Sequence, residues 1–336
     1  MAGRRVATRS ASTGEHQFLE GLRDIGKGAA GVVVGIGDDA AVVRCGPRTV
    51  LTTDTMMEGV HFRLGWLTPR ELGVRAFRAA LSDVAAMGAR PLYVLLSLEV
   101  PHEKRRRGFD EAFAGAVVRG VAADARGVGA ALVGGNISAA SGWGLTTTVI
   151  GDARHPAVTR DAAAAGDVVF VTGALGGSAA GVRALQKSGA RAAGAHTIAY
   201  RKPPLRVELA VALAEARLLH AMIDVSDGLV QDLGHLCRRS GVRIDIDSDA
   251  VPVHRIARAV TADRESALRM ALAGGEDYEL AFTATPRRRA AIEEIARRHP
   301  CAITAIGTVA KGRAVVTDMR GRDLRGGGFD HFRRRV

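Results

Sequence analysis

Short apolar runs alternate with segments of helical spacing along most of the 336-residue chain. The run at 92–98 is almost entirely apolar, as buried strands are. Before it, Thr68 and Glu71 flank a proline in the pattern that begins a helix, with a hydroxyl cap and an acid three residues later. Strand-like and helix-like segments interleave again after residue 166, so the pattern predicts an α/β or α+β fold. At this length we expect two domains, covering residues 14–155 and 156–336.

The chain is strongly basic, with a formal net charge of +12 at pH 7. Such a charge suits nucleic acid or an anionic small molecule. The basic runs at 104–107, 287–289 and 333–335 are short and far apart. No aromatic residues interleave with them to form a stacking platform for bases. We therefore interpret them as solvated surface and predict no nucleic-acid partner.

No uncharged stretch has the length and apolar composition of a membrane span, so no membrane partner is predicted. The Arg-rich N-terminus lacks the apolar core of a secretory signal, and a frayed terminus is favoured over a transit peptide. Three isolated cysteines, Cys45, Cys237 and Cys301, fit reduced thiols better than disulfides or a zinc site. A cytoplasmic location is the expectation.

Acidic residues gather in short motifs that lack basic neighbours. Short carboxylates on rigid turns suit hard cations such as Mg²⁺, which prefer oxygen ligands. Taken singly, each motif favours a structural role as a turn or a helix cap. Together they indicate a metal–phosphate site, although charge and spacing alone do not decide it. The motifs are Asp38-Asp39, Thr52-Thr53-Asp54, Ser82-Asp83 and Asp224-Val225-Ser226-Asp227.

Four further features carry weaker signals. The acidic turn at 274–279 is equally compatible with a substrate contact and a plain charged turn. The glycine-rich segment 173–181 opens a helix and could hold an anion on its backbone amides. Gly135 and Asn136 end a strand, and His61 follows the Asp54 motif, where a lone histidine is more often packed than a ligand. Neither a phosphate-binding P-loop nor a kinase-type glycine loop is present, which argues against the two common nucleotide-enzyme classes.

Taken in order along the chain, these stretches resemble the thiamine-monophosphate kinases, a family of the aminoimidazole ribonucleotide synthetase-like superfamily. The resemblance implies ATP-dependent phosphorylation of thiamine monophosphate to thiamine diphosphate. It also implies Mg²⁺ as cofactor and a two-domain fold whose N-terminal strands form a barrel across a homodimer. The matching stretches are GIGDDAAVV (35–43), TTDTMMEGVHF (52–62), LSDVAAMGARP (81–91), GDVVFVTGALGGSAAG (166–181), IDVSDGLVQDLGH (223–235), GGEDYEL (274–280) and GFDHF (328–332).

The resemblance also assigns roles residue by residue. It assigns catalytic roles to Asp54, Asp83 and Asp227. The implied magnesium ligands are Asp39, Thr52, Thr53, Asp54, Asp83, Asp224 and Asp227. The implied nucleotide contacts are Gly135, Asn136, Arg160 and Ser226, and the implied substrate contacts are His61, Glu276 and Phe329.

One position departs from the family pattern, because Asn136 stands where these kinases usually have Asp. The lost negative charge implies weaker binding of one metal ion or a different hold on the phosphate. The expected reaction is direct in-line transfer, since a phosphate acceptor needs little general-base help at neutral pH. Glu276 would then face the cationic thiamine and Phe329 would stack on one of its rings.

Two alternatives stay open at this point. One is another enzyme of the superfamily, such as selenophosphate synthetase, although the first 44 residues contain no cysteine to handle selenium. The other is a basic scaffold that binds nucleotide without catalysis, which the replacement at Asn136 keeps open.

Overall fold

The computed structural model describes residues 18–19, 21–37, 39–101, 110–189 and 194–324. Strands and helices alternate through both halves of this described chain, as the sequence pattern predicts. The first half contains β1 (Val32–Val34), β2 (Val42–Val43), β3 (Thr49–Met57), α1 (Pro69–Ala86), β4 (Arg90–Pro101), α2 (Glu111–Gly127), β5 (Ala131–Ala140) and β6 (Gly144–Asp152). The second half contains β7 (Val168–Thr172), α3 (Gly177–Ser188), α4 (Ile198–Arg201), α5 (Val207–Glu215), β8 (Ala221–Val225), α6 (Leu229–Ser240), β9 (Arg243–Ile246), α7 (Arg255–Val260), α8 (Arg264–Ala273), β10 (Glu279–Ala284), a 3₁₀ turn (Pro286–Arg288), α9 (Arg289–Arg297), β11 (Ile303–Ala310) and β12 (Val316–Asp318).

The N-terminal half forms a four-stranded sheet in the order β3-β6-β4-β5, with β1 and β2 as a separate pair. β4 and β5 run parallel, whereas β6 is antiparallel to both β3 and β4. Helix α1 begins as predicted, because the Thr68 side chain accepts the Glu71 amide and the Glu71 carboxylate accepts the Thr68 amide. It ends at Met87, before Gly88 with φ 67°.

The C-terminal half forms a six-stranded sheet in the order β12-β9-β11-β7-β10-β8. Its pairings are antiparallel except for β12 with β9. Mixed sheets with helices packed on them confirm the predicted α+β class. None of the described helices is long and apolar enough to cross a membrane.

Helix α1 joins the two halves. It buries Leu72 and Phe77 in one apolar cluster with Phe170 of β7 and Phe282 of β10, whose rings stack 5.2 Å apart. Because this cluster is continuous, the two sheets are fixed on either side of α1. Side chains at the C-terminal end of α1 therefore meet the end of β8.

Two strand limits differ from the sequence predictions, in which the segment 50–53 forms a strand that runs into Asp54. β3 continues three residues beyond Asp54, because that segment pairs with β6 in an unbroken register. β5 continues through Gly135 and Asn136, which we expected to end a strand. Gly135 is needed there, since a Cβ atom on it would lie 1.9 Å from the carbonyl oxygen of Leu96.

Candidate active site

A cavity of about 430 Å³ lies between the two halves of the molecule. Strand β3 and helix α1 supply one wall, and the ends of β8 and β10 with helix α3 supply the other. The cavity brings together residues from five separate sequence motifs. The residues with roles implied by the family resemblance that line it are Thr53, Asp54, His61, Asp83, Asp224, Ser226, Asp227 and Glu276.

Strand β3 places Thr52 and Asp54 on the same face, because side chains two residues apart point the same way, and Asp54 lines the cavity. The Thr52 hydroxyl donates to Asp83 Oδ2 at 2.6 Å, which ties β3 to α1. Burial, followed by the negative charge of Asp83, raises the pKa of Asp54. Burial likewise raises the pKa of Asp83. The hydroxyl of Thr53 hydrogen-bonds the hydroxyl of Thr148 of β6 at 3.1 Å.

The β8 wall presents Asp224 at the end of a fully buried strand. Ser82 of α1 donates its hydroxyl to Asp224 Oδ2 at 2.9 Å, so this contact crosses between the two halves. Burial, followed by the charge of Asp83, raises the pKa of Asp224 to about 7. Asp83 and Asp224 therefore repel each other across the domain junction.

Asp54, Asp83 and Asp224 are buried close to one another with little positive charge nearby to balance them. The cation that lowers the pKa values of Asp83 and Asp224 is the exposed Arg160, which acts through space. Buried carboxylates with raised pKa values are the donor set that a divalent cation stabilises in the ionised form. The oxygen ligands around the cavity thus fit Mg²⁺.

Asp232 organises the loop that carries Ser226 and Asp227. Its Oδ2 atom accepts the backbone amides of Ser226, Asp227 and Gly228 at 3.0, 3.0 and 3.1 Å. Burial, with the nearby charges of Asp224 and Asp227, raises the pKa of Asp232 to about 8. Neither Ser226 nor Asp227 caps α6, whose N-cap is Gly228. No sequence motif assigned a role to Asp232, although an acid in the first turn of a helix is a usable signal.

A histidine extends this loop cluster. Ligand atoms of Asp227, Asp232 and His235 all lie within 4.8 Å of one another. Gln231 donates to Asp227 Oδ2 at 3.2 Å. Asp227 is thus held at the cavity wall by the first turns of α6.

The acidic turn before β10 sends its three carboxylates in different directions. Glu276 and Tyr278 adopt φ angles of 65° and 51°, a left-handed backbone that is costly for residues other than glycine. This geometry points Glu276 towards the cavity and lets Glu279 run back into the sheet. Arg206 binds Glu279 through two nitrogen atoms, each at 2.6 Å. Glu279 therefore has a structural role in this turn.

Asp277, the middle acid of the turn, binds the backbone amides of the glycine-rich segment 173–181. Its carboxylate accepts the amide of Gly176 at 2.6 Å and that of Ser178 at 3.0 Å. The glycine-rich sequence predicts that the start of α3 could hold an anion, but the group that its amides bind is the Asp277 carboxyl group. A phosphate site at these amides is therefore excluded by the occupied geometry.

A buried arginine holds Glu276 from behind. Arg75 of α1 is fully buried, and its Nη2 atom lies 2.6 Å from Glu276 Oε1. Its guanidinium also stacks on the Tyr200 ring, with 3.8 Å from Cζ to the ring centroid, and donates to the Tyr200 carbonyl. The Tyr200 hydroxyl donates to the carbonyl of His61 at 2.8 Å. The two expected substrate contacts, His61 and Glu276, are thus linked through Arg75 and Tyr200.

Five of the expected site residues that the structure describes do not line the cavity. Gly135 shares a row of the sheet with Asp54, through Thr147 and Leu96. Three inter-strand steps separate them, a distance of about 14 Å. The five residues are the partly buried Thr52 and the exposed Asp39, Gly135, Asn136 and Arg160. Phe329 lies outside the described residues.

The AIR synthase related protein family matches in two parts, the N-terminal domain over residues 37–153 and the C-terminal domain over 164–319. A thiamine-monophosphate kinase of Mycobacterium tuberculosis (strain H37Rv) is 38% identical over 276 residues, which cover 80% of this chain and 79% of that protein. The chain belongs to the thiamine-monophosphate kinase family.

Solved structures of the family superpose on this fold. Thiamine-monophosphate kinase from Stenotrophomonas maltophilia K279a has a TM-score of 0.78 and 34% identity, covering 88% of this chain and 93% of that one. AaThiL, solved in complex with AMPPCP and TMP, has a TM-score of 0.73 and 30% identity, covering 84% of this chain and 87% of that one. The predicted two-domain fold and family are confirmed by these matches.

Proposed function

We propose that this chain transfers the γ-phosphoryl group of ATP to thiamine monophosphate and forms thiamine diphosphate. The observation that carries the proposal is the convergence of Asp54, Asp83, Asp224 and Asp227 on one cavity between the two domains. Family membership supports the same reaction, and a relative of this fold has been solved with an ATP analogue and TMP. The acceptor is itself a phosphate, so the reaction brings two anions together.

Mg²⁺ ions bound in the cavity would neutralise the two phosphorylated substrates. The residues that would hold them are Asp54, Asp83, Asp224 and Asp227, with Thr52, Thr53 and Asp39 as further ligands by family resemblance. The raised pKa values of Asp54, Asp83 and Asp224 support this assignment, because a bound cation removes the cost of keeping these groups ionised.

Substrate contacts in the proposal fall on His61 and Glu276, with Phe329 as a further contact. The Nδ1 atom of His61 accepts the Met57 amide at 3.0 Å, which leaves Nε2 as the protonated nitrogen of the neutral ring. An Nε2–H donor suits a phosphate oxygen better than it suits base catalysis. Glu276, fixed by Arg75, would face the cationic part of thiamine. Transfer is therefore proposed to be direct, without a covalent enzyme intermediate.

Nucleotide contacts in the proposal are Gly135, Asn136, Arg160 and Ser226. The positive charge of the exposed Arg160 lowers the pKa values of Asp83 and Asp224 through space, which supports its role towards a bound phosphate. Gly135 and Asn136 lie on β5, at the opposite edge of the N-terminal sheet from β3, which carries Asp54. A nucleotide that contacted both Arg160 and these two residues would extend across the N-terminal sheet, away from the carboxylates.

We also propose that the protein is a cytoplasmic homodimer. Its two domains are proposed to cover residues 14–155 and 156–336. The long outer strand β3 leaves one edge of the N-terminal sheet unpaired within the described chain. Exposed strand edges of this kind are suited to pairing with a second copy. All three cysteines are unpaired, which fits a reducing compartment.

An ADP-release assay with Mg²⁺, ATP and thiamine monophosphate tests the proposal. We expect turnover that requires both Mg²⁺ and the phosphate ester, with unphosphorylated thiamine as the inactive control. Turnover only with selenide would favour selenophosphate synthetase chemistry. ATP binding without turnover on either acceptor would favour the non-catalytic scaffold.

A further inference from the structure

The segment between β3 and α1 forms an aromatic wall of the cavity. Trp66 lines the cavity, and its ring meets the Tyr200 ring edge-on, with centroids 6.1 Å apart and planes at 78°. Tyr200 is fully buried and anchored by its hydroxyl on His61. A rigid ring thus backs Trp66 and fixes its indole at the cavity surface.

A cation already lies over this indole. The guanidinium carbon of Arg63 is 5.4 Å from the centre of the Trp66 ring. Indole is the best aromatic acceptor for a cation, because its ring face is electron-rich. Arg63 is exposed, and no carboxylate of the described chain lies within ion-pair distance of it. A ligand can therefore displace Arg63 without breaking an ion pair.

The other walls favour a cationic ligand with an anionic end. Asp54 and Glu276 line the same cavity as Trp66, and both are acids. A molecule with a positively charged aromatic ring and a phosphate could place the ring on Trp66 and the phosphate near the metal-binding carboxylates. Thiamine monophosphate has this chemistry, since its thiazolium ring carries a permanent positive charge.

We infer that Trp66 is a specificity-determining residue, on whose indole the thiazolium ring of the substrate replaces the Arg63 guanidinium. The inference rests on the proposed function, because it takes thiamine monophosphate as the acceptor. It concerns recognition of the positive charge and leaves the phosphoryl transfer to the carboxylates. Trp66 should therefore affect acceptor binding and not ATP binding.

Fluorescence offers a direct test, because the chain has two tryptophans. Trp143 is buried, packs on Phe113 with 4.2 Å between ring centroids, and does not line the cavity. In the Trp143→Phe variant, Trp66 is the single indole. We expect thiamine monophosphate to quench its emission in a saturable way, with the same Kd that calorimetry gives. Calorimetric binding without a change in Trp66 emission would overturn the inference.

Replacement of the indole tests the role of charge. In Trp66→Leu, which keeps an apolar side chain, we expect the Kd for thiamine monophosphate to rise about tenfold. The Kd for the neutral 4-methyl-5-(2-phosphonooxyethyl)thiazole should change less than twofold, and the KM for ATP should stay the same. Trp66→Phe should lie between Trp66→Leu and the unaltered protein.

Two results separate this inference from the proposed function. If the unaltered protein turns over thiamine monophosphate but Trp66→Leu binds it equally well, the role of Trp66 is wrong and the reaction stands. Equal losses for the charged and the neutral ligand would likewise overturn the recognition of charge. If the unaltered protein neither binds nor turns over thiamine monophosphate, the proposed function itself fails.

Discussion

Chemically identical carboxylates have different roles in this molecule, and their neighbours decide which. Asp54, Asp83 and Asp224 face a cavity and repel one another, whereas Asp277 and Asp232 bind backbone amides. The sequence predicted the first group through its hydroxyl-rich motifs. It gave no role to Asp232, because an isolated acid in a helix looks like ordinary solvated surface.

The residue-scale prediction concerns the free-energy cost of the acidic cavity. Asp54→Asn removes a carboxylate whose pKa is raised by burial and by Asp83. We therefore expect the metal-free variant to be more stable than the unaltered protein, as measured by its Tm. Added Mg²⁺ should raise the Tm of the unaltered protein and have little effect on the variant. Turnover should fall on the order of a thousandfold, because metal-assisted charge stabilisation supplies several kcal/mol.

Asp249→Asn is the matched control for this substitution. Asp249 is exposed and pairs with the exposed Arg264 at 2.7 Å. Removing such a surface carboxylate should change stability by less than about 0.5 kcal/mol and leave the Mg²⁺ response intact. A normal rate in Asp54→Asn, or the same Mg²⁺-induced Tm shift in both variants, would contradict the metal assignment.

Single helices and strands form from local sequence signals, but their ends make contacts with residues that are distant in sequence. Helix α1 was predicted from Thr68 and Glu71, since the capping box lies within four residues of sequence. The start of α3 was also predicted, but its cap was not. Asp277 is 101 residues from the Gly176 amide that it binds, a separation that no local pattern reveals.

The element-scale prediction follows from that cap. Burial raises the pKa of Asp277 from 3.8 to about 7, although the amides of α3 oppose this shift. The folded protein therefore binds a proton that the unfolded chain has released between pH 4 and 7. The stabilisation from Asp277 is fully present below its pKa in the unfolded chain, 3.8, and is lost as the pH rises through its pKa in the folded protein, about 7. The expected slope is on the order of 1 kcal/mol per pH unit.

Urea unfolding of Asp277→Asn between pH 5 and 8 checks this slope. We expect a shallower decline of stability with pH than in the unaltered protein, in which Asp224 and Asp232 also titrate. Asp263→Asn is the control, because Asp263 caps α8 by accepting the Ser266 amide at 2.7 Å and its pKa is lowered. It should shift the whole curve without changing its slope. Parallel curves for Asp277→Asn and the unaltered protein would refute the assignment.

At the scale of the whole molecule, the residues that the structure describes leave the outer face of the N-terminal sheet partly uncovered. Leu51 of β3 is 67% exposed, and Met57 on the same strand is 37% exposed. Apolar side chains on a long edge strand are characteristic of an interface. This surface supports the homodimer that the family resemblance implies.

The corresponding prediction uses Leu51→Lys. We expect the unaltered protein to have twice the 35.2 kDa chain mass by light scattering and the variant to dissociate, because a charge would be buried in the contact. Met319→Lys is the control, since Met319 is 62% exposed in the C-terminal half. It should leave the mass unchanged. A monomeric unaltered protein would disprove the dimer.

The sequence by itself determined the family, an α/β or α+β class and the acidic motifs, because each depends on contiguous residues with local periodicity or spacing. Tertiary structure alone decided how these acids meet: Asp83 and Asp224 lie on opposite sides of the domain junction, and Ser82, next to Asp83, donates its hydroxyl to Asp224. It also decided that the glycine-rich start of α3 binds Asp277 and not a phosphate. The physical reason is that burial and charge depend on packing between distant segments, whereas strand periodicity and a capping box such as Thr68–Glu71 depend on neighbours in sequence.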